Sequence, residues 1–154
     1  MKYIKDDKHE QKRIEKLLKK MAKAPHVAVG ILQDKPVSDC FSMLDLATVH
    51  EFGSKDGRIP QRSFIRTTCD AGQQKYVKLM AKLQGMYIDG KIALKQVLSM
   101  LGCIVEKDIV QTINRGLEPA LKPATIKRRR KKSSKPLIDT GRLKGSVTHD
   151  VRGA

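Results

Sequence analysis

Ile14, Leu17, Leu18 and Met21 recur at three- and four-residue steps among Lys and Arg, which predicts an amphipathic helix over 8–24 that Pro25 ends. From His26 to Leu32 the period changes to two. Val27, Val29 and Ile31 alternate with smaller residues, the pattern of a strand. Residues 33–40 read as a turn, and Ser42 with Asp45 forms a capping pair for a short helix from Ser42 to Phe52. In that helix Leu46, Val49 and Phe52 are expected to share the inward face, and Gly53 stands where a helix stops. Residues 53–60 have loop composition. Helical period returns from about Phe64 to Gln84, with Ile65, Cys69, Tyr76, Leu79, Met80 and Leu83 expected inward. Asp89 is then placed to cap a helix running to about Arg115, with Leu94, Val97, Leu98, Leu101, Ile104, Val105 and Ile109 on its apolar side and Gly116 as its stop. Pro123 opens a short helical stretch to Ile126, and Ser146–Val151 reads as a final strand.

These elements predict an α+β fold in one domain over 1–154. A small antiparallel sheet is expected from 26–32, 146–151 and a segment between them. It would pack on two long helices, with the N-terminal helix beside them. Residues 118–136 are expected to stand apart as an exposed, extended basic arm or loop, because Lys127-Arg-Arg-Arg-Lys-Lys-Ser-Ser-Lys135 carries seven bases in nine residues and no acid.

Composition narrows the function classes. With 40% hydrophobic residues the chain can build a core, and the formal net charge of +16 points to anionic partners. Aromatic residues make up 4% and Trp is absent, which disfavours base-stacking and sugar-binding platforms. No apolar run approaches a membrane span, and the charged start does not read as a signal peptide, so a cytosolic, soluble protein is expected. Cys40, Cys69 and Cys103 lack paired spacing and are read as reduced thiols, two of them on apolar helix faces. The four histidines are scattered, so neither a metal nor another cofactor is expected.

Leu137-Ile-Asp-Thr-Gly141 resembles the catalytic loop of aspartic proteases, where two carboxylates share a proton. Arg142 argues against it, since a guanidinium there would hold Asp139 ionised. The plainer reading is a turn in which Thr140 or Asp139 accepts a backbone N–H at a helix start. His50 and Glu51 are adjacent, so on a helix they point about 100° apart and make a poor proton-transfer pair. No nucleophile elbow and no phosphate-cradling loop is present, and the chain is expected not to be an enzyme. The basic arm has three readings: contact with nucleic-acid phosphate, docking on an acidic protein, or simple solvation.

Three blocks in order suggest a family: Leu46-Ala-Thr-Val-His-Glu-Phe-Gly53 with Gly57-Arg-Ile-Pro60 and Arg62-Ser-Phe64; Leu121-Lys-Pro-Ala-Thr-Ile126 followed by bases; and Lys135-Pro-Leu-Ile-Asp-Thr-Gly-Arg-Leu143 leading to Ser146-Val147. In this order the chain resembles the neck or tail-completion proteins of long-tailed double-stranded DNA bacteriophages, also called virion-morphogenesis or minor tail proteins. Ser63 stands where the family commonly has Pro between Arg62 and Phe64. The resemblance implies a non-catalytic subunit of a ring, six- or twelve-fold, between the portal-connector or adaptor proteins and the tail tube or tail terminator. Such a subunit would be assembled in the host cytoplasm and then resident in the virion, with DNA in its channel. Structural turns and subunit contacts are then expected at His50, Glu51, Phe52, Gly53, Ile59, Pro60, Arg62 and Phe64, and at Asp139, Thr140, Gly141, Arg142 and Leu143. Contacts with DNA or an acidic neighbour are expected from Lys127, Arg128, Arg129, Arg130, Lys131, Lys132 and Lys135.

Overall fold

A computed structural model describes residues 12, 15, 25–38, 41–129 and 133–153. Lys12 and Glu15 are helical; the rest of the expected helix over 8–24 lies outside the described residues, as do Cys40, Arg130, Lys131 and Lys132. The fold is α+β. Strand β1 (His26–Ile31) pairs antiparallel with β4 (Val147–Arg152), in a register that sets Val27 opposite Val151, Val29 opposite His149 and Ile31 opposite Val147. Directly opposed residues share a face, so the alternation read from the sequence places these six side chains together.

A two-stranded ribbon is marginal unless something covers it. Here the cover is the long helix α3 (Leu94–Arg115), which approaches closely at Gly102, beneath Val27 and His149. Helix α2 (Phe64–Ile88) runs antiparallel to α3. The pairing is held by a hydrogen bond between the Thr68 and Thr112 hydroxyls, 2.8 Å apart, near one end. Farther along, Tyr76 donates to Asp108 Oδ2 at 2.9 Å and the Lys75 ammonium donates at 2.6 Å. Burial and this hydrogen bond to Asp108 both push the Tyr76 phenol above its ordinary range.

The core gathers Met43, Ala47, Phe64, Ile109, Ile113, Leu137, Leu143 and Val147. It thereby joins helix α1 (Met43–Phe52), the starts and ends of the long helices, and the segment before β4. Ser42 and Asp45 form the expected capping box, with N–H to side-chain distances of 3.0 and 3.1 Å.

Several expectations need correction. The segment 33–40 is not all turn: β2 (Pro36–Ser38) pairs with β3 (Phe41–Ser42) as a separate ribbon, and among the described residues the β1–β4 sheet gains no third strand. Helix α2 extends past Gln84 to Ile88, and Asp89 closes it instead of opening the next. Gly90, at φ +70°, makes the turn. Helix α3 opens at Ala93, whose N–H is accepted by the Gln96 side chain at 2.8 Å.

The inward face of α2 is wider than the expected one. Leu83 is buried and Ile65, Tyr76, Leu79 and Met80 are half-buried as expected, but Phe64, Thr68 and Gly72 are buried too, and Cys69 is exposed, as is Cys103 on α3. The Tyr76 ring covers Gly72, and the Thr68 hydroxyl is satisfied by Phe64 O at 2.7 Å, so its burial costs little. In α1 the buried positions are Met43, Ala47 and Glu51; Phe52 is 63% exposed.

Candidate functional site

The blocks at 46–64, at 121–126 with the bases after it, and at 135–147 meet in one region, and polar side chains stitch them and the residues beside them together. Glu51 is the first stitch. Buried at the end of α1, its carboxylate accepts the N–H groups of Ile65 at 3.1 Å and Arg66 at 3.0 Å. These are orphan donors of the first turn of α2, whose own N-cap Ser63 provides no side-chain bond. A carboxylate there also meets the positive end of the helix. Ser63 and Gln61 instead donate to the Glu51 carbonyl at 2.7 and 3.1 Å. Glu51 is therefore the N-terminal cap of α2 supplied from another helix. The sequence marks Glu51 as a structural or contact residue of the first block, but not as the cap of another helix.

Arg62 is the second stitch. Its guanidinium is 5% exposed and donates to Pro119 O at 2.7 Å and Ala120 O at 3.2 Å, which ties the loop before α2 to the chain after α3. Burial and the nearby Arg129 pull its pKa down.

Arg129 is the third stitch, and here an expectation is corrected. It was placed on an extended arm reaching for DNA or an acidic neighbour. Instead it follows helix α4 (Pro123–Arg128) and, half-buried, donates from Nη1 to Ser133 O, Lys135 O and Ile138 O. Lys135 is exposed, but its Nζ donates to Asn114 O at 2.7 Å near the C-terminus of α3, where a cation suits the helix dipole. These described parts of 118–136 thus form a folded-back loop, because a row of free carbonyls is available to each cation. Lys127 and Arg128 are exposed, as expected of contact residues.

A cavity of about 390 Å³ lies where these pieces converge. His50, Arg129, Asp139, Thr140, Gly141, Arg142 and Leu143 line it together with apolar Val37, Met43, Leu46 and Leu137. Among the described residues, His50 Nδ1 and Asp139 Oδ1 are buried without a hydrogen-bond partner. Burial, then Arg62 and Arg129, push the His50 imidazole down to about 4, so it is neutral near pH 7. Leu137 holds φ +64°, an uncommon conformation for a branched side chain, and Gly141 sits at +85°.

The expected cap by Thr140 or Asp139 is not made: the turn Lys144–Ser146 that follows has no side-chain cap. Arg142 donates to Pro36 O, holding the turn against β2. Asp139 lines the cavity together with Arg129 and Arg142.

The structure divides the remaining expected contact residues into two sets. Phe64 is fully buried in the monomer core, and Leu143 nearly so. Phe52 and Ile59, 63% and 40% exposed, lie on the surface, and Arg66 stands 5.8 Å over the Phe52 ring. Gly53, at φ +82°, starts the loop to Pro60, which Ser54 closes by accepting the Ile59 N–H at 2.8 Å.

One constellation had no signal in the sequence. His149 on β4 has Nδ1 2.7 Å from Glu106 Oε2, while its Nε2 faces Ser99 Oγ at 3.4 Å and Cys103 Sγ at 3.7 Å. These residues fasten the sheet to α3, and they sit 43–50 positions apart in the chain. Among the described residues no group of His, Cys, Asp and Glu is arranged to hold a metal ion, and no helix is long and apolar enough to cross a membrane. Compared with protein-family models, with curated proteins and with solved structures, the chain found no match.

Proposed function

We propose that this chain is a structural subunit of a phage neck or tail-completion ring, seated between portal-connector and tail, and that it catalyses no reaction. The observation that carries this reading is the use made of the three resemblance-bearing blocks. Glu51, Arg62 and Arg129 lock them into one body, while Phe52 and Ile59 of the same blocks stay uncovered on the surface. A subunit whose work is to fit against neighbours needs such rigidly aimed apolar contacts, and it needs no substrate pocket. Its partners would be copies of itself, connector or adaptor proteins, and the tail tube or terminator.

At +16 per subunit a ring is strongly self-repelling, so closure requires acidic partner surfaces or DNA in the channel. Virions made without this chain are therefore expected to accumulate unjoined heads and tails. Electron microscopy of complete particles is expected to locate it at the neck. Normal joining in its absence would overturn the proposal.

Exposed Lys127 and Arg128 support a second reading, a nucleic-acid-binding protein that grips phosphates. For that reading, duplex affinity should fall with log salt at a slope of about −0.9 per phosphate neutralised.

A further inference from the structure

Beside the cavity described above, and sharing His50 and Arg129 with it, lies a second cleft of about 440 Å³. The loop Gly57–Pro60 forms one wall and residues 119–125 the other. Its walls are partly apolar, with Ile59, Pro60 and Leu121, whereas Arg62 and Arg129 line its interior and Lys122 its side.

Buried guanidiniums are ordinarily matched to carboxylates. Among the described residues neither Arg62 nor Arg129 forms a salt bridge. Their known bonds are to main-chain carbonyls, and these engage only part of each fork. Arg62 uses Nε and Nη2, and Arg129 uses Nη1. Arg62 Nη1 and the Nε and Nη2 of Arg129 make no hydrogen bond within the described residues.

The acids nearby offset this charge only in part. Asp56 is held by Arg58 at 3.2 Å. The Glu118 carboxylate, which accepts the Ala120 N–H at 2.8 Å, acts on Arg62 through space, and Asp139 lines the adjoining cavity with Arg129, both without a salt bridge to either guanidinium among the described residues. His50 contributes no positive charge near neutrality, its ring being kept neutral by burial and by the same two arginines. The cleft therefore presents fixed, incompletely matched cations in a partly enclosed, low-dielectric place, which strengthens their attraction for an anion.

We infer that this cleft is a docking site for a carboxylate of an acidic partner polypeptide, held by the Arg62 and Arg129 guanidiniums with an apolar neighbour resting on Ile59, Pro60 and Leu121. A slender carboxylate-bearing side chain or chain end can enter between the walls and take two donors from a guanidinium fork. Duplex phosphates would be met first by the exposed Lys122 and Arg58, whereas Arg62 is only 5% exposed. Unstacked bases would find no Phe, Tyr or Trp ring among the residues lining the cleft. The inference stands on the cleft itself and not on ring assembly, so its failure would leave the neck reading to its own test.

The full-length protein is titrated with an acetylated Leu-Leu-Leu-Glu peptide, with the same peptide carrying Gln and a C-terminal amide, and with a short DNA duplex. The arginine Nε–Hε NMR signals of Arg62 and Arg129 and the methyl signals of Ile59 are followed. The acidic peptide is expected to move these signals saturably, and the neutral peptide to bind at least tenfold more weakly. Lys122→Glu, at an exposed position, is expected to weaken the acidic peptide severalfold with an unchanged amide spectrum. Arg62→Lys, which keeps the charge but loses the fork, is expected to weaken it at least tenfold; should that variant unfold, Lys122→Glu decides. Equal binding of the two peptides, no saturable shift up to millimolar peptide, or movement of the Arg62 and Arg129 signals by duplex alone would each overturn the inference.

Discussion

Gly102 and Gly85 both lie inside long helices, yet the same substitution should move stability in opposite directions. In a helix interior Ala is favoured over Gly by about 1 kcal/mol, because Gly loses more backbone freedom on folding. At Gly85 of α2 a new Cβ would meet nothing within 4 Å, so Gly85→Ala should add about 0.5–1 kcal/mol. At Gly102 of α3 the same atom would stand 2.6 Å from His149 Cδ2, 2.8 Å from His149 Cγ and 2.8 Å from Val27 Cγ2. Carbon atoms rest at about 3.5–4.0 Å, so helix and sheet must separate by roughly 1 Å or the imidazole must turn away. The ring cannot turn freely, because its Nδ1 is 2.7 Å from Glu106 Oε2. Overpacking of this kind costs about 1–3 kcal/mol, which matches or exceeds the propensity gain. Gly102→Ala should thus be destabilised by about 0–2 kcal/mol, and the two variants should differ by about 1–3 kcal/mol. For a chain of this size 1 kcal/mol is about 2–4 °C in Tm. Urea denaturation followed by far-ultraviolet circular dichroism measures both. A Gly102→Ala protein as stabilised as Gly85→Ala would refute the close approach of α3 to the sheet.

Three further outcomes are expected. Glu51→Ala should lower stability by about 2–3 kcal/mol, since two amides at the start of α2 lose a charged acceptor, and Glu51→Gln should recover part of this; urea midpoints test both. The His50 ring binds its proton more weakly in the folded state, with a pKa of about 4 against 6.5 unfolded. The stability this confers is complete above pH 6.5 and is lost as pH falls toward 4, by at most about 3 kcal/mol. His50→Gln should flatten that acid limb in a pH series of unfolding curves, and an unchanged limb would mean that the ring is not buried among cations. Ser42→Ala should cost about 1 kcal/mol by removing one half of the capping box on α1, read from the same denaturation midpoint.

Local signals were sufficient wherever local chemistry governs. The α+β class, the strand faces around Val27, Val29 and Ile31, the Ser42–Asp45 cap, and Gly53 and Gly116 as helix stops all follow from near-neighbour sterics and hydrogen bonding. The two long helices were legible from their period, and of the expected α2 face only Cys69 is exposed. Apolar periodicity cannot register Thr68 and Gly72, which are buried because one has its hydroxyl bonded and the other lies under the Tyr76 ring, not because they are oily. Asp89 misled for a similar reason: an acid beside Gly90 can close one helix as readily as open another, and only the turn geometry distinguishes them.

The sequence alone determined the long helices, the strands β1 and β4, the charge, and the short blocks that mark out the candidate region. Tertiary structure alone decided what those residues do. It turned Glu51 into a cap for a different helix, folded Arg129 and Lys135 back onto carbonyls, left Phe52 and Ile59 on the surface, and brought His149 to Glu106. The physical reason is that a charged side chain's role depends on which unpaired backbone groups lie within about 3 Å of it, and partners far apart in the chain are brought that close only by packing.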